Sequence, residues 1–114
     1  MHLTPIGYDT VLLKPGEALD PSSPNAYLEG VISFLQEHGA RRLLYDLGHL
    51  PLIDAVYYAC LCSLHRACRS AGMEMIGVNI RPTAAFSLAR LIDSSPPFDC
   101  ALDVDSALRS RRIA

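Results

Sequence analysis

Cys60, Cys62, His65 and Cys68 fall within one short stretch, and thiol and imidazole groups that close together could bind a soft metal or supply a nucleophile and its base. Both chemistries need the side chains to converge. The stretch 54–71 reads as a single helix, in which successive residues are offset by about 100°. On that wheel Cys60 and Cys68 join Tyr57, Leu61, Leu64, Ala67 and Ala71 on an apolar side. Cys62 and His65 fall on the other side with Ala55, Tyr58, Ala59, Arg66 and Arg69. A tetrahedral metal site is therefore not expected, and Cys60 and Cys68 read as small core residues. Cys62 and His65, three residues apart, could form a nucleophile and base. No orienting carboxylate, pocket or oxyanion site accompanies them, so a thiol-dependent enzyme using Cys62 ranks last among the readings. No enzymatic activity, metal or cofactor is expected.

Asp54 opens the same helix, where a carboxylate can accept backbone N–H groups and interact favourably with the helix dipole. The outward side of the helix begins small and apolar and turns basic, with Ala55, Cys62 and Arg66 pointing most directly out. That gradient fits the apolar centre and polar rim of a protein interface, and Tyr58 reads as its aromatic anchor. The following helix, 82–92, turns Ala84, Leu88, Leu91 and Ile92 inward and leaves Thr83, Phe86 and Arg90 outside. The expected partner-binding set is Tyr58, Ala59, Cys62, Arg66, Phe86 and Arg90. Asp93-Ser94-Ser95 reads as turn chemistry, His38 as a cation at a helix C-terminus, and His49 as a loop residue.

These groups must be positioned by a small core. The chain has 114 residues, fitting a single domain over 1–114. Half of its residues are hydrophobic, yet charged residues, His or Gly interrupt every apolar run before the roughly 20 residues that a spanning helix needs. Met1 to Thr10 lacks the basic start and apolar stretch of a signal peptide, so a cytoplasmic protein without direct membrane insertion is expected. A net charge of -2 argues against nucleic acid as a partner, and the basic cluster Arg109, Arg111, Arg112 reads as solvated tail. The four cysteines do not read as a disulfide framework, since three share one helix.

Apolar runs of strand type alternate with amphipathic helical ones, predicting an α/β fold with helices against a mostly parallel sheet. An N-terminal hairpin is expected from Leu3–Ile6 and Thr10–Lys14 around Gly7-Tyr8-Asp9. A helix should start at Ser23-Pro24, with the Ser hydroxyl as cap, bury Leu28, Val31, Ile32 and Leu35, and end at Gly39. Then follow a strand at Arg42–Leu47, the helix from Asp54 to Ala71 closed by Gly72, and a strand at Met73–Val78. The helix from Pro82 to Ile92, a short edge strand at Cys100–Leu102 and a last helix capped by Asp103 complete the set of four helices. Parallel crossovers should be right-handed.

The segment 43–56, Leu-Leu-Tyr-Asp-Leu-Gly-His-Leu-Pro-Leu-Ile-Asp-Ala-Val, resembles the switch segment of the STAS domain. That module is shared by anti-sigma factor antagonists (anti-anti-sigma factors) and the cytoplasmic tails of sulfate transporters. The order of hairpin, Gly-ended helix, Tyr45-Asp46, Ile53-Asp54, Ala71-Gly72 and Gly77 to Pro82 extends the resemblance over nearly the whole chain. Val78-Asn79-Ile80-Arg81-Pro82 is similar to the scaffold and coregulator proteins of the bacterial stressosome. The resemblance implies a STAS-like fold and a regulatory module that binds a switch serine kinase or anti-sigma factor, or other STAS proteins, in the control of transcription. A homo-oligomer is compatible with it. In the bacterial regulators a phosphorylated Ser or Thr follows the Asp; here Ala55 occupies that position. The second phosphorylated position of the stressosome relatives corresponds by spacing to Ser87. The alternative implied by the resemblance is an accessory subunit of a membrane lipid transporter.

Overall fold

The computed structural model describes residues 1–7, 9–16, 20–93 and 95–109. Tyr8 of the hairpin turn, Ser94 of the 93–95 turn, and Arg111 and Arg112 of the basic cluster lie outside the described residues. Among the described residues five strands form one sheet in the order β1-β2-β3-β4-β5: β1 (His2–Ile6), β2 (Thr10–Lys14), β3 (Arg42–Asp46), β4 (Glu74–Val78) and β5 (Asp99–Ala101). Only β1 runs antiparallel to its neighbour β2; β2 through β5 are parallel. The intervening helices are α1 (Asn25–Glu37), α2 (Ala55–Ser70) and α3 (Pro82–Leu91), and α4 (Val104–Arg109) follows β5. This is the expected α/β architecture, a mixed and mostly parallel sheet with an N-terminal hairpin and four helices.

Alternation along the strands divides the core in two. Val11, Leu13, Leu43, Tyr45 and Met75 face α1, α2 and α3, which contribute Val31, Leu35, Leu61, Leu64, Cys68, Ala84 and Leu88. On the other face Leu44, Ile76 and Val78 pack under Ala107 of α4. Arg42 ties that small helix down, reaching the Ala107 carbonyl at 3.1 Å while pairing with Glu74 at 3.0 Å. The guanidinium is nearly buried and the carboxylate half-exposed, so the bond to the α4 carbonyl matters more than the ion pair, which water screens.

Helix ends follow local chemistry. Gly39 and Gly72 close α1 and α2 with φ of +61° and +78°, a left-handed geometry that an L side chain resists. Two expectations are corrected. The Ser23 hydroxyl does not cap α1: Pro24 is the cap residue and makes no side-chain bond. The preceding turn is organised by Asp20 instead, whose carboxylate accepts the Ser22 N–H at 3.0 Å and the Ser22 hydroxyl at 2.6 Å. Leu91, expected inside, is 42% exposed, because α3 lies at the margin of the helix layer and buries only Ala84 and Leu88.

Candidate interaction surface at the start of α2

Because α1, α2 and α3 share one side of the sheet, the loops leaving the C-terminal ends of β3 and β4 emerge side by side. Asp46, the last residue of β3, joins them: its Oδ1 accepts the Gly48 N–H at 2.8 Å and the Asn79 side-chain amide at 3.3 Å. Asn79 adopts φ +61°, which Asn tolerates better than most residues, and its N–H bonds the Leu102 carbonyl at 3.2 Å. The chain then runs from Leu47 to Ile53, whose buried side chain anchors the approach to α2.

Asp54 caps α2 as its sequence position requires. Its Oδ1 accepts the Tyr57 N–H at 2.8 Å, and its carbonyl accepts the Tyr58 N–H at 2.9 Å, the first bond of the helical ladder. The helix is held from below by Tyr57, whose hydroxyl bonds that of Tyr45 at 2.7 Å within the core. Ala55 is exposed at the first helical position and carries no hydroxyl.

The wheel places the α2 residues correctly at its centre and less well at its flanks. Ala55, Ala59, Arg66 and Arg69 are exposed, and Tyr57, Cys60, Leu61, Leu64 and Cys68 are buried. Tyr58, Cys62 and His65, expected to project outward, are half-buried, with Tyr58 and Cys62 packed against the core. The reason is the position of α2 in the middle of the helix layer. One flank meets α1, where the Tyr27 hydroxyl bonds the Cys60 sulfur. The other meets the approach to β5, where the His65 ring tilts against Phe98 at 6.3 Å. A central helix buries a wider arc than one that only touches a sheet. Tyr58 is consequently less available as an anchor than its wheel position implies, and burial followed by a bond to Cys62 raises its pKa.

The exposed apolar residues around this helix start are ones that the periodicity did not single out. Leu52 is 63% exposed and Val56 49%. Phe86 on α3, expected outside, is 67% exposed, with Thr83 and Arg90 also exposed. Hydrogen bonds bring α3 alongside the loop: Thr83 donates its hydroxyl to the Pro51 carbonyl, and the Ser87 hydroxyl accepts the Ile53 N–H at 2.9 Å. Ser87 is half-buried as a result. On the opposite side of α2, an apolar groove of about 440 Å³ separates Pro21 and Pro24 from Ala55, Val56 and Ala59.

The thiols are arranged for packing. Cys60 is raised in pKa by burial, partly offset by its bond with Tyr27, and Cys68 is pushed up to about 12 by burial alone. Cys100, on β5, is an exposed residue rather than a core one, and its pKa is raised by desolvation of its sulfur and then by the neighbouring Asp99. His65 Nδ1 is buried without a hydrogen-bond partner among the described residues, so from that nitrogen none of them orients the ring as a base for Cys62. Among the described residues no three His, Cys, Asp or Glu side chains come together as metal ligands, and no helix is long and apolar enough to cross a membrane.

No protein-family model and no curated protein matches the chain. Solved structures do. A chain from the molecular architecture of the stressosome, a signal integration and transduction hub, superposes with a TM-score of 0.78 at 18% identity, covering 95% of this chain and 93% of that one. A variant of RsbS from Moorella thermoacetica gives 0.78 at 18% identity, over 94% and 92% of the two chains. A Thermotoga maritima protein described as a candidate anti-sigma factor antagonist gives 0.69 at 15% identity, over 95% and 91%. The five-stranded mixed sheet and its helices thus superpose on known architecture over nearly the full chain, and the protein has the fold of the STAS domain.

Proposed function

We propose that this chain is a regulatory STAS module with no enzymatic activity, acting in the cytoplasm of a bacterium by binding a partner protein through the start of α2, the loop before it and the outer side of α3. One observation carries the reading: Leu52 and Val56, two residues either side of the cap Asp54, are 63% and 49% exposed, and Phe86 is 67% exposed on α3, the helix that bonds the loop before α2. The core gains nothing from three large apolar side chains in water, and contiguous exposed apolar patches are characteristic of contact sites. Ala55 and Ala59 line the groove on the other side of α2, and Arg66 and Arg90 are exposed on α2 and α3, a mixture of apolar and basic surface suited to an interface. Tyr58 and Cys62 support the surface from its half-buried edge.

Structural neighbours from a stressosome and from a candidate anti-sigma factor antagonist support the partner class of this reading: a serine kinase that acts as anti-sigma factor, or another STAS protein, including a further copy of this chain. With Ala55 in the switch position, phosphoryl transfer at the start of α2 is unavailable. The module is either constitutively competent to bind or controlled at Ser87.

Titration calorimetry against purified serine-kinase anti-sigma factors and STAS scaffold proteins of the same cell tests this reading. Val56→Arg should weaken binding by about 2 kcal/mol or more, a hot-spot magnitude, and leave the melting temperature nearly unchanged because Val56 is half in water. Absence of binding to either class, selective binding to a transporter ATPase, or an affinity indifferent to Val56→Arg would overturn it.

A further inference from the structure

The loop entering α2 is held by α3 through two hydroxyl groups. Thr83 and Ser87 are four residues apart in a helix, so they project from the same side. Thr83 donates to the carbonyl of Pro51, and Ser87 accepts the N–H of Ile53 at 2.9 Å. The Ser87 hydroxyl in turn donates to the Ala84 carbonyl of its own helix at 2.8 Å. With its proton committed to Ala84, the oxygen can meet Ile53 only as an acceptor, which fixes the rotamer. The two backbone groups engaged, the accepting Pro51 carbonyl and the donating Ile53 N–H, lie in a loop, where no strand or helix ladder would satisfy them.

Pinning the loop on both sides of one residue has a geometric result. Pro51 is tied by its carbonyl; Ile53 is tied by its N–H and by a side chain only 1% exposed. Leu52 between them is the residue turned out to solvent. The next residue is Asp54, the cap of α2.

We propose that Thr83 and Ser87 form a hydroxyl latch by which α3 sets the path of residues 51–53, and through it the display of Leu52 and the first turn of α2. The latch is a property of the free chain; its consequence for a partner rests on the binding surface proposed above. It places control of the start of α2 on a different helix. Loss of the Ser87 oxygen frees the Ile53 N–H and lets the loop depart without any change in α2 itself. The anchoring hydroxyl lies 34 residues along the chain from the Ile53 N–H, so the approach to α2 can be altered with Ala55 and α2 unchanged.

Amide hydrogen exchange on the isotope-labelled full chain without a partner tests the latch. In Ser87→Ala, exchange at Ile53 should accelerate about fivefold to tenfold, the worth of one hydrogen bond, with smaller increases at residues 54–56 and none in β3 or β4. Ser87→Thr, which keeps an oxygen, should stay within about twofold of the parent. Unchanged exchange at Ile53 in Ser87→Ala, or equal acceleration in Ser87→Thr, would overturn the latch. Should Ser87→Ala unfold α3 by circular dichroism, Thr83→Val addresses the other anchor: the latch requires faster exchange at residues 52–54, and no change there refutes it. In the calorimetric assay, weaker binding by Ser87→Ala supports the coupling to the partner surface. Accelerated exchange with undiminished affinity would overturn that coupling while leaving the latch standing, whereas failure of Val56→Arg to weaken binding would sink the surface itself.

Discussion

Removing the Asp54 carboxylate isolates the one capping interaction at the proposed surface. In the native chain that group accepts the Tyr57 N–H at 2.8 Å, and the remainder of the first turn is secured from inside by the buried Tyr57 ring and its hydroxyl bond to Tyr45 at 2.7 Å. Two consequences follow for Asp54→Ala. The orphaned N–H sits beside an exposed position, so water can partly replace the lost acceptor. The helix cannot unwind past residue 57, since Tyr57 is held in the core. The expected loss is therefore about 1 kcal/mol, in the middle of the range for such caps. For a domain of this size that lowers the melting temperature by roughly 3–6 °C. Asp54→Asn keeps an acceptor in the same place but loses the charge that favours a helix N-terminus, worth about 0.3–1 kcal/mol at low salt. Urea unfolding of both variants at low salt and in about 0.5 M salt, where the Debye length falls to a few Å, separates the two contributions. In high salt Asp54→Asn should fall within a few tenths of a kcal/mol of the parent while Asp54→Ala retains its deficit. If Asn is as damaging as Ala in high salt, or Ala costs nothing, the capping bond is not what holds the start of α2.

Cys68 is fully buried, and burial pushes its pKa up to about 12, so a thiol reagent should leave it unlabelled until the chain unfolds, as peptide mapping would show. The same shift has a defined sign for stability. The folded-state pKa lies above that of the unfolded thiol, so stability is intact below about pH 8.5 and declines as pH rises from there toward 12, a trend measurable by urea midpoints across that range. Gly77→Ala should cost about 1–2 kcal/mol, because a Cβ there would stand 2.9 Å from Leu47 Cδ1 and 3.6 Å from the Cys100 sulfur in a filled core. The flexible end of Leu47 keeps the cost from being larger, and an unchanged urea midpoint would mean that this part of the core has room to spare.

Where each element lies was legible from residues close together in the chain, since the controlling physics is local. Alternation places Val11 and Leu13 on one side of β2 and Leu12 on the other; Asp54 starts α2 through a bond to its own third neighbour; Gly39 and Gly72 end their helices by adopting a backbone geometry few other residues accept. The STAS-type order of elements followed from those signals. Ser23 was the local misreading, because a hydroxyl caps only when the backbone aims it at a free N–H, and here Pro24 holds the cap position without a side-chain bond. What tertiary structure alone decided is how far around each helix the burial extends. Tyr58, Cys62 and His65 became half-buried because α2 has neighbours on both flanks, and Leu91 came out because α3 has a free margin. Leu52 and Val56 entered the candidate surface in the same way. The bonds from Thr83 and Ser87 to the loop join residues 32 and 34 positions apart, and a hydroxyl that meets a distant backbone group leaves no periodicity, composition or spacing by which a sequence could announce it.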